Sequence, residues 1–203
     1  MSTSTRGTKR QSHWNLPNAL TWLRISMIPA IVALFFCLPD PWAGPAACAA
    51  FALAGITDTM DGYYARKLGL TSRLGAFLDP VADKLIVAAA LVLIVCKDPR
   101  WFVAITAIVI IGREVAVSAL REWMAEIGQR GKVKVSQLAK YKTIVQIVGL
   151  SCMLFRWDLP IFPGRVIPIF EIGLVLTVVA AVLTLWSAVS YLRAAWPDMQ
   201  GHS

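Results

Sequence analysis

Charge is what this chain has least of. Asp, Glu, Lys and Arg together make 16% of its 203 residues, against roughly a quarter in soluble domains. That scarcity excludes an ordinary solvated globule. Histidine is scarcer still: His13 and His202 both sit close to the chain ends, so neither a histidine metal centre nor a histidine base is expected. The cysteines Cys37, Cys48, Cys96 and Cys152 are scattered over apolar segments without CxxC spacing and read as reduced core residues.

What fills the chain instead is apolar: 57% of the residues are hydrophobic. Long apolar stretches lie near 19–38, 43–65, 74–96, 101–120, 141–156 and 167–192, most of them close to the ~20 residues that cross a bilayer. The expectation is an all-α integral membrane protein with six transmembrane helices in one domain over residues 13–196. Spans and short connections use nearly all of that length, which leaves no room for a separate soluble domain. Residues 1–12, rich in Ser, Thr and basic groups, read as a flexible cytoplasmic tail, and 197–203 as a second one. The first apolar stretch ends at Cys37-Leu-Pro-Asp40 without a small-residue cleavage pattern, so it reads as a retained span and not a signal peptide.

The basic residues set the orientation. With the N-terminus inside, only Lys97, Arg100, Arg156 and Arg165 fall outside, and the other sixteen of the 20 Lys and Arg fall on the cytoplasmic side. Both termini are therefore expected in the cytoplasm. The formal net charge of +8 then reflects orientation and anionic membrane lipids at one face, with no nucleic-acid partner needed. Trp14, Trp22, Trp42, Trp101, Trp157 and Trp196 lie at or near span ends, as an interfacial belt requires.

Against this background the run from Asp58 to Asp83 stands out. Asp58 and Asp61 are spaced i, i+3 at the end of the second span, and Gly75, Asp79 and Asp83 are spaced i, i+4, i+8 on the third. Each set shares a helical face. A short connection containing Gly69 makes the two helices antiparallel neighbours, so four carboxylates converge at the cytoplasmic end. An unpaired charge at that depth costs roughly 2.5–3.5 kcal/mol on insertion scales. Two divalent cations supply the matching charge, and carboxylate oxygens are the ligands hard cations prefer. Gly62 beside Asp61 and Gly75 one turn before Asp79 allow a ligand or a backbone to approach closely. Ala46, Ala50 and Ala54 permit tight packing of the second span, and Pro80 is expected to bend the third helix beside the site.

The acceptor side is basic. Arg113 and Arg121 stand at i, i+8 on nearly one face of the fourth span with Glu114 and Ser118, while Lys140 and Lys142 open the fifth. One such residue is most simply a snorkelling side chain; several beside a metal site suit a phosphorylated alcohol, which Arg and Lys clamp by charge-assisted hydrogen bonds. Glu122, Glu126 and Arg130 are explained by pairing along a helix surface, and Glu171, at the outer start of the sixth span, is given no function. A cation transporter was weighed against these readings, but the acids gather at one end of the helices and the outer halves are apolar, which leaves no path across.

The pattern D-x2-D-G-x2-A-R-x8-G-x3-D-x3-D is matched without departure by Asp58, Asp61, Gly62, Ala65, Arg66, Gly75, Asp79 and Asp83. In this segment the chain resembles the CDP-alcohol phosphatidyltransferase family. That resemblance implies a six-helix membrane bundle of the family type and transfer of a phosphatidyl group from a CDP-linked lipid to an alcohol, releasing CMP. It further implies Mg²⁺ or Mn²⁺ as a pair held by Asp58, Asp61, Asp79 and Asp83, with Asp83 also the catalytic base. By the same resemblance Asn18, Thr21, Gly62, Arg66, Ser72 and Gly75 hold CDP-diacylglycerol. Asn15–Thr21 with Arg24, Gly112–Trp123, Lys140–Thr143 with Gln146, and Ala181–Ser187 are similar to bacterial members whose acceptor is sn-glycerol 3-phosphate. Arg113, Ser118, Arg121, Lys140 and Lys142 are accordingly the expected ligands of its phosphate. Gln137-Leu-Ala139 departs from those members, which more often carry a glycine there. The implied setting is the bacterial cytoplasmic membrane, multi-pass, with the site facing the cytoplasm and the protein a homodimer. Phosphatidylglycerol or an inositol phosphate, as in cardiolipin synthases or phosphatidylinositol phosphate synthases, are the alternative acceptors.

Overall fold

In the computed structural model the described residues are 16–68, 73–127, 137–162 and 165–200. They form six helices: α1 (Leu16–Cys37), α2 (Asp40–Leu68), α3 (Arg73–Lys97), α4 (Trp101–Glu126), α5 (Gln137–Phe155) and α6 (Ile169–Gln200). Each covers one of the six apolar stretches. The ends differ where polar residues continue a helix past its apolar part, as at Gln137–Lys140 in α5 and beyond Leu120 in α4. α6 likewise runs on to Gln200, into the stretch read as a tail.

The architecture is helical as expected, with one small antiparallel hairpin, not expected from the sequence, between α5 and α6. β1 (Leu159–Phe162) pairs with β2 (Arg165–Ile167), Leu159 opposite Ile167 and Pro160 opposite Val166. Arg156 precedes it with φ 60°, a left-handed residue of the kind that ends helices; its N–H still reaches back to the carbonyl of Cys152.

The helix junctions are chemically marked. Pro39 stands between α1 and α2, and its carbonyl accepts hydrogen bonds from Trp42 and Ala43 N–H. Pro99 stands between α3 and α4, and the carbonyl of Arg100 accepts from Val103 and Ala104 N–H. A residue before proline avoids the helical region, so each helix ends there.

The core runs along the bundle axis through Ile31 and Phe35 of α1, Phe51 of α2, Ile86 and Ile94 of α3, Ile110 of α4 and Leu150 and Leu154 of α5. In α2 the buried stripe is Ala43, Ala47, Phe51 and Ala54. This shifts the expected stripe, since Ala46 and Ala50 are only half-buried and Ala54 alone is common to both. The most extensive contact is α5 against α6, made possible by facing glycines. A Cβ at Gly173 would stand 2.7 Å from the Gly149 carbonyl oxygen and from Cys152 Cβ, and one at Gly149 would stand 2.5 Å from Thr177 Oγ1.

Outside the core the helices are apolar rather than polar: Trp186 is 78% exposed, Ile108 69% and Val175 61%. Such a surface suits hydrocarbon, not water. Among the described residues two helices, α4 and the Ile169–Ser190 part of α6, are long and apolar enough throughout to cross a membrane, with Trp22–Cys37 and Lys142–Phe155 as shorter apolar segments. α2 and α3 carry the charged run where they meet, which interrupts their apolar length. Trp22, Trp42, Trp101, Trp157 and Trp196 are all exposed.

Candidate active site

α2 and α3 are joined by four residues and touch. Both are helical through the signature, which puts Asp58 and Asp61 one turn apart on α2, and Asp79 and Asp83 one turn apart on α3. Asn18, Thr21, Asp58, Asp61, Gly62, Arg66, Gly75 and Lys140 lie on helices, but their side chains and surroundings fall outside the described residues; Ser72 falls outside altogether. Among the described residues no group of three metal-ligating side chains forms, since only Asp79 and Asp83 of the quartet belong to them. α3 continues as helix through Pro80.

Around Asp83 the described part of the site is a cavity of about 260 Å³. α3 contributes Asp83 and Lys84, α4 contributes Glu114, Ser118 and Arg121, and α5 contributes Thr143 and Gln146. The apolar side is Phe51, Ala54, Ile86, Val87 and Ile147. A wider cleft of about 400 Å³ adjoins it and shares Pro80, Lys84, Ser118 and Arg121. Asp83 of α3 and Ser118 and Arg121 of α4 thus line one cavity.

Arg24 of α1 enters the same cavity, and its Nη1 donates to Asp83 Oδ1 at 2.8 Å. The arginine is 2% exposed whereas the Asp83 side chain is 47% exposed, so the cation is the buried partner and the carboxylate faces the opening. Spacing alone gives Arg24 no site role, since it belongs to no acidic or basic cluster on α1. The signal was available: an ionisable residue inside an apolar helix is a functional candidate by its cost alone. Glu114, Thr143 and Gln146 were also named without a role, and they too stand in the wall.

Arg113 and Lys142 are placed differently. Both are 8% exposed and turn toward α6 instead of standing among the side chains that line the cavity. Arg113 Nη2 donates to Thr184 Oγ1 at 3.0 Å and to Glu114 Oε1 at 2.9 Å. Lys142 Nζ donates to Ser187 Oγ at 3.1 Å. Among the described residues that line the cavity, Arg24, Lys84 and Arg121 outnumber Asp83 and Glu114, with Arg113 and Lys142 behind them, which makes the cavity attractive to an anion.

Chemically, the arrangement joins a carboxylate that faces the opening to a basic wall across one cavity, beneath a helix pair whose aspartates are hard-cation donors. A family model for CDP-alcohol phosphatidyltransferase matches residues 14–186, and the chain belongs to that family. It is 45% identical over 186 residues to proteins of Shigella flexneri serotype 5b and of Escherichia coli K12, an alignment that spans 92% of this chain and 97% of each relative. The same figures hold for a protein of Salmonella choleraesuis. Each of these relatives bears the name CDP-diacylglycerol–glycerol-3-phosphate 3-phosphatidyltransferase.

Proposed function

We propose that the protein transfers the phosphatidyl group of CDP-diacylglycerol to sn-glycerol 3-phosphate, forming phosphatidylglycerol phosphate and CMP. The observation that carries this reading is the single cavity in which Asp83 of the signature faces Ser118 and Arg121 of the basic α4 wall, in a chain so similar along its length to relatives named for that reaction.

The residues fit a pair of divalent cations, Mg²⁺ or Mn²⁺. Asp58, Asp61, Asp79 and Asp83 offer oxygen donors from two adjoining helices, the donor class such ions take. When bound, the cations polarise the phosphoryl oxygen and neutralise the leaving phosphate. The chain itself does the rest. Asn18, Thr21, Gly62, Arg66, Ser72 and Gly75 hold the cytidine diphosphate portion. Arg113, Ser118, Arg121, Lys140 and Lys142 form the electrostatic seat of the acceptor phosphate. The Asp83 carboxylate takes the proton of the acceptor hydroxyl while Arg24 fixes its orientation. The acceptor oxygen then bonds to the phosphorus that carries diacylglycerol, the bond from that phosphorus to the bridging oxygen breaks, and CMP leaves with the electron pair.

Location supports the same reading. A CDP-lipid has its pyrophosphate at headgroup level and its tails in hydrocarbon, so a site at the ends of membrane helices meets both. We extend the membrane reading to all six helices, with the site and both termini at the cytoplasmic face of a bacterial membrane.

The test is acceptor competition on purified protein in detergent with CDP-diacylglycerol, following CMP release. Release should require sn-glycerol 3-phosphate, should cease on chelation of divalent metal and should return on Mg²⁺ or Mn²⁺. A preference for phosphatidylglycerol or an inositol phosphate would reassign the acceptor, and release without any acceptor would refute the transfer.

A further inference from the structure

α6 is among the most apolar segments of the chain, yet Thr184 and Ser187 stand one turn apart on it, facing α4 and α5. Other hydroxyls in these helices serve their own backbone: Thr177 Oγ1 donates to the Gly173 carbonyl at 2.8 Å, and Thr106 Oγ1 to that of Phe102 at 2.8 Å. Thr184 is different. It is fully buried and accepts a hydrogen bond from Arg113 Nη2. Ser187 accepts a hydrogen bond from Lys142 Nζ and donates one to the Thr184 carbonyl at 2.9 Å. One turn of α6 therefore takes a hydrogen bond from each of two buried cations that come from two other helices.

We propose that Thr184 and Ser187 are positioning residues for the acceptor half of the reaction. Neither lines the cavity; they act through Arg113 and Lys142. Nη2 of Arg113 donates to Thr184 Oγ1 on one side and forms an ion pair at 2.9 Å with Glu114, in the cavity wall, on the other. The line Thr184–Arg113–Glu114 thus fixes the α4 wall from behind, and Ser187 holds the Lys142 ammonium beside it. A guanidinium and an ammonium carry long flexible stems, so the hydroxyls limit where their charge can sit. This assignment rests on the acceptor reading given above.

The discriminating experiment measures kcat and KM for both substrates in Thr184→Val, Thr184→Ser and Ser187→Ala, together with the thermal midpoint in detergent. Loss of a buried hydrogen bond to a charged group predicts that Thr184→Val raises KM for glycerol 3-phosphate about tenfold or more. KM for CDP-diacylglycerol should stay at its native value, Thr184→Ser should restore the acceptor KM, and Ser187→Ala should give a smaller rise of the same kind. Should Thr184→Val fail to fold, Ser187→Ala and Thr184→Ser carry the test. Unchanged acceptor KM in Ser187→Ala and Thr184→Val, or equal losses for both substrates tracking the thermal midpoint, would reduce the pair to scaffold. Native protein without acceptor-dependent CMP release would instead refute the transfer reading itself, and this assignment with it.

Discussion

The two ends of the bundle both gather charge, and they use it differently. At the end formed by the α3–α4 junction and the start of α6, Arg100 binds Asp98 at 2.6 Å and Glu171 at 2.9 Å, with its guanidinium 4.8 Å from the Phe102 ring and 5.3 Å from that of Phe170. Lys97 reaches Asp40 at 3.7 Å. Cations there are met by carboxylates of this chain, and the result joins the α3–α4 junction to α6 and α3 to α2. At the opposite end the cavity is lined, among the described residues, by Arg24, Lys84 and Arg121 against Asp83 and Glu114. Charge that closes on itself is a staple, worth little in water-exposed pairs. A surplus of one sign beside an enclosed volume is a seat for a ligand of the other sign.

That contrast is broken most sharply by neutralising one arginine at each end. Arg121→Gln should raise KM for glycerol 3-phosphate roughly ten- to hundredfold through loss of a charge-assisted contact. Arg100→Gln should leave both KM values at their native levels; a comparable rise there would abolish the distinction between the ends.

The scaffold that sets the ends apart is tested at the α5–α6 contact. Gly149→Ala places a methyl group where Thr177 and the Gly173 backbone already stand, an overpacking that costs about 1–3 kcal/mol. A lowered thermal midpoint, read by fluorescence in detergent, is the expected result, and an unchanged midpoint would show that the helices separate freely.

The smallest effect is a pH dependence at the staple. The Arg100 side-chain hydrogen bond holds the Asp98 carboxyl below its ordinary 3.8 against the opposing pull of burial. A carboxylate lowered in the folded state adds stability that is complete above its unfolded value and is lost as pH falls through the folded one. Acidification from pH 5 to about 3 should therefore lower the thermal midpoint slightly more in the native protein than in Arg100→Gln. Parallel curves would mean that the staple adds nothing.

Much of this was legible in the sequence. Apolar length marks all six helices, because hydrocarbon demands long runs and nothing else in the chain resembles them. What hydropathy cannot see is the less apolar end of a helix, which is why α5 starts at Gln137 and α6 runs to Gln200, beyond the apolar stretches 141–156 and 167–192. The hairpin was missed although a Pro-Gly pair at 163–164, a strong turn signal, separates its two short apolar runs. Helix phase explains the alanine stripe: alanines crowd α2, so composition alone does not say which face packs.

Asp83, Ser118 and Arg121 were readable because helical spacing aligns each with its neighbours. The Arg24–Asp83 pair spans 59 positions and the Arg113–Thr184 bond 71, distances over which periodicity carries no information. Thr184 and Ser187 fall in the Ala181–Ser187 stretch that resembles the bacterial members, but spacing gives them no role, since a hydroxyl in an apolar helix is ordinarily satisfied by its own backbone.

The central claim is that Asp83 works at the junction of a CDP-lipid seat and a basic acceptor seat. Its most direct test is CMP release from CDP-diacylglycerol with and without sn-glycerol 3-phosphate, in native protein and in Asp83→Asn. Acceptor-dependent release that falls by about a hundredfold or more in the variant is the predicted result. Equal rates in the two proteins would contradict it.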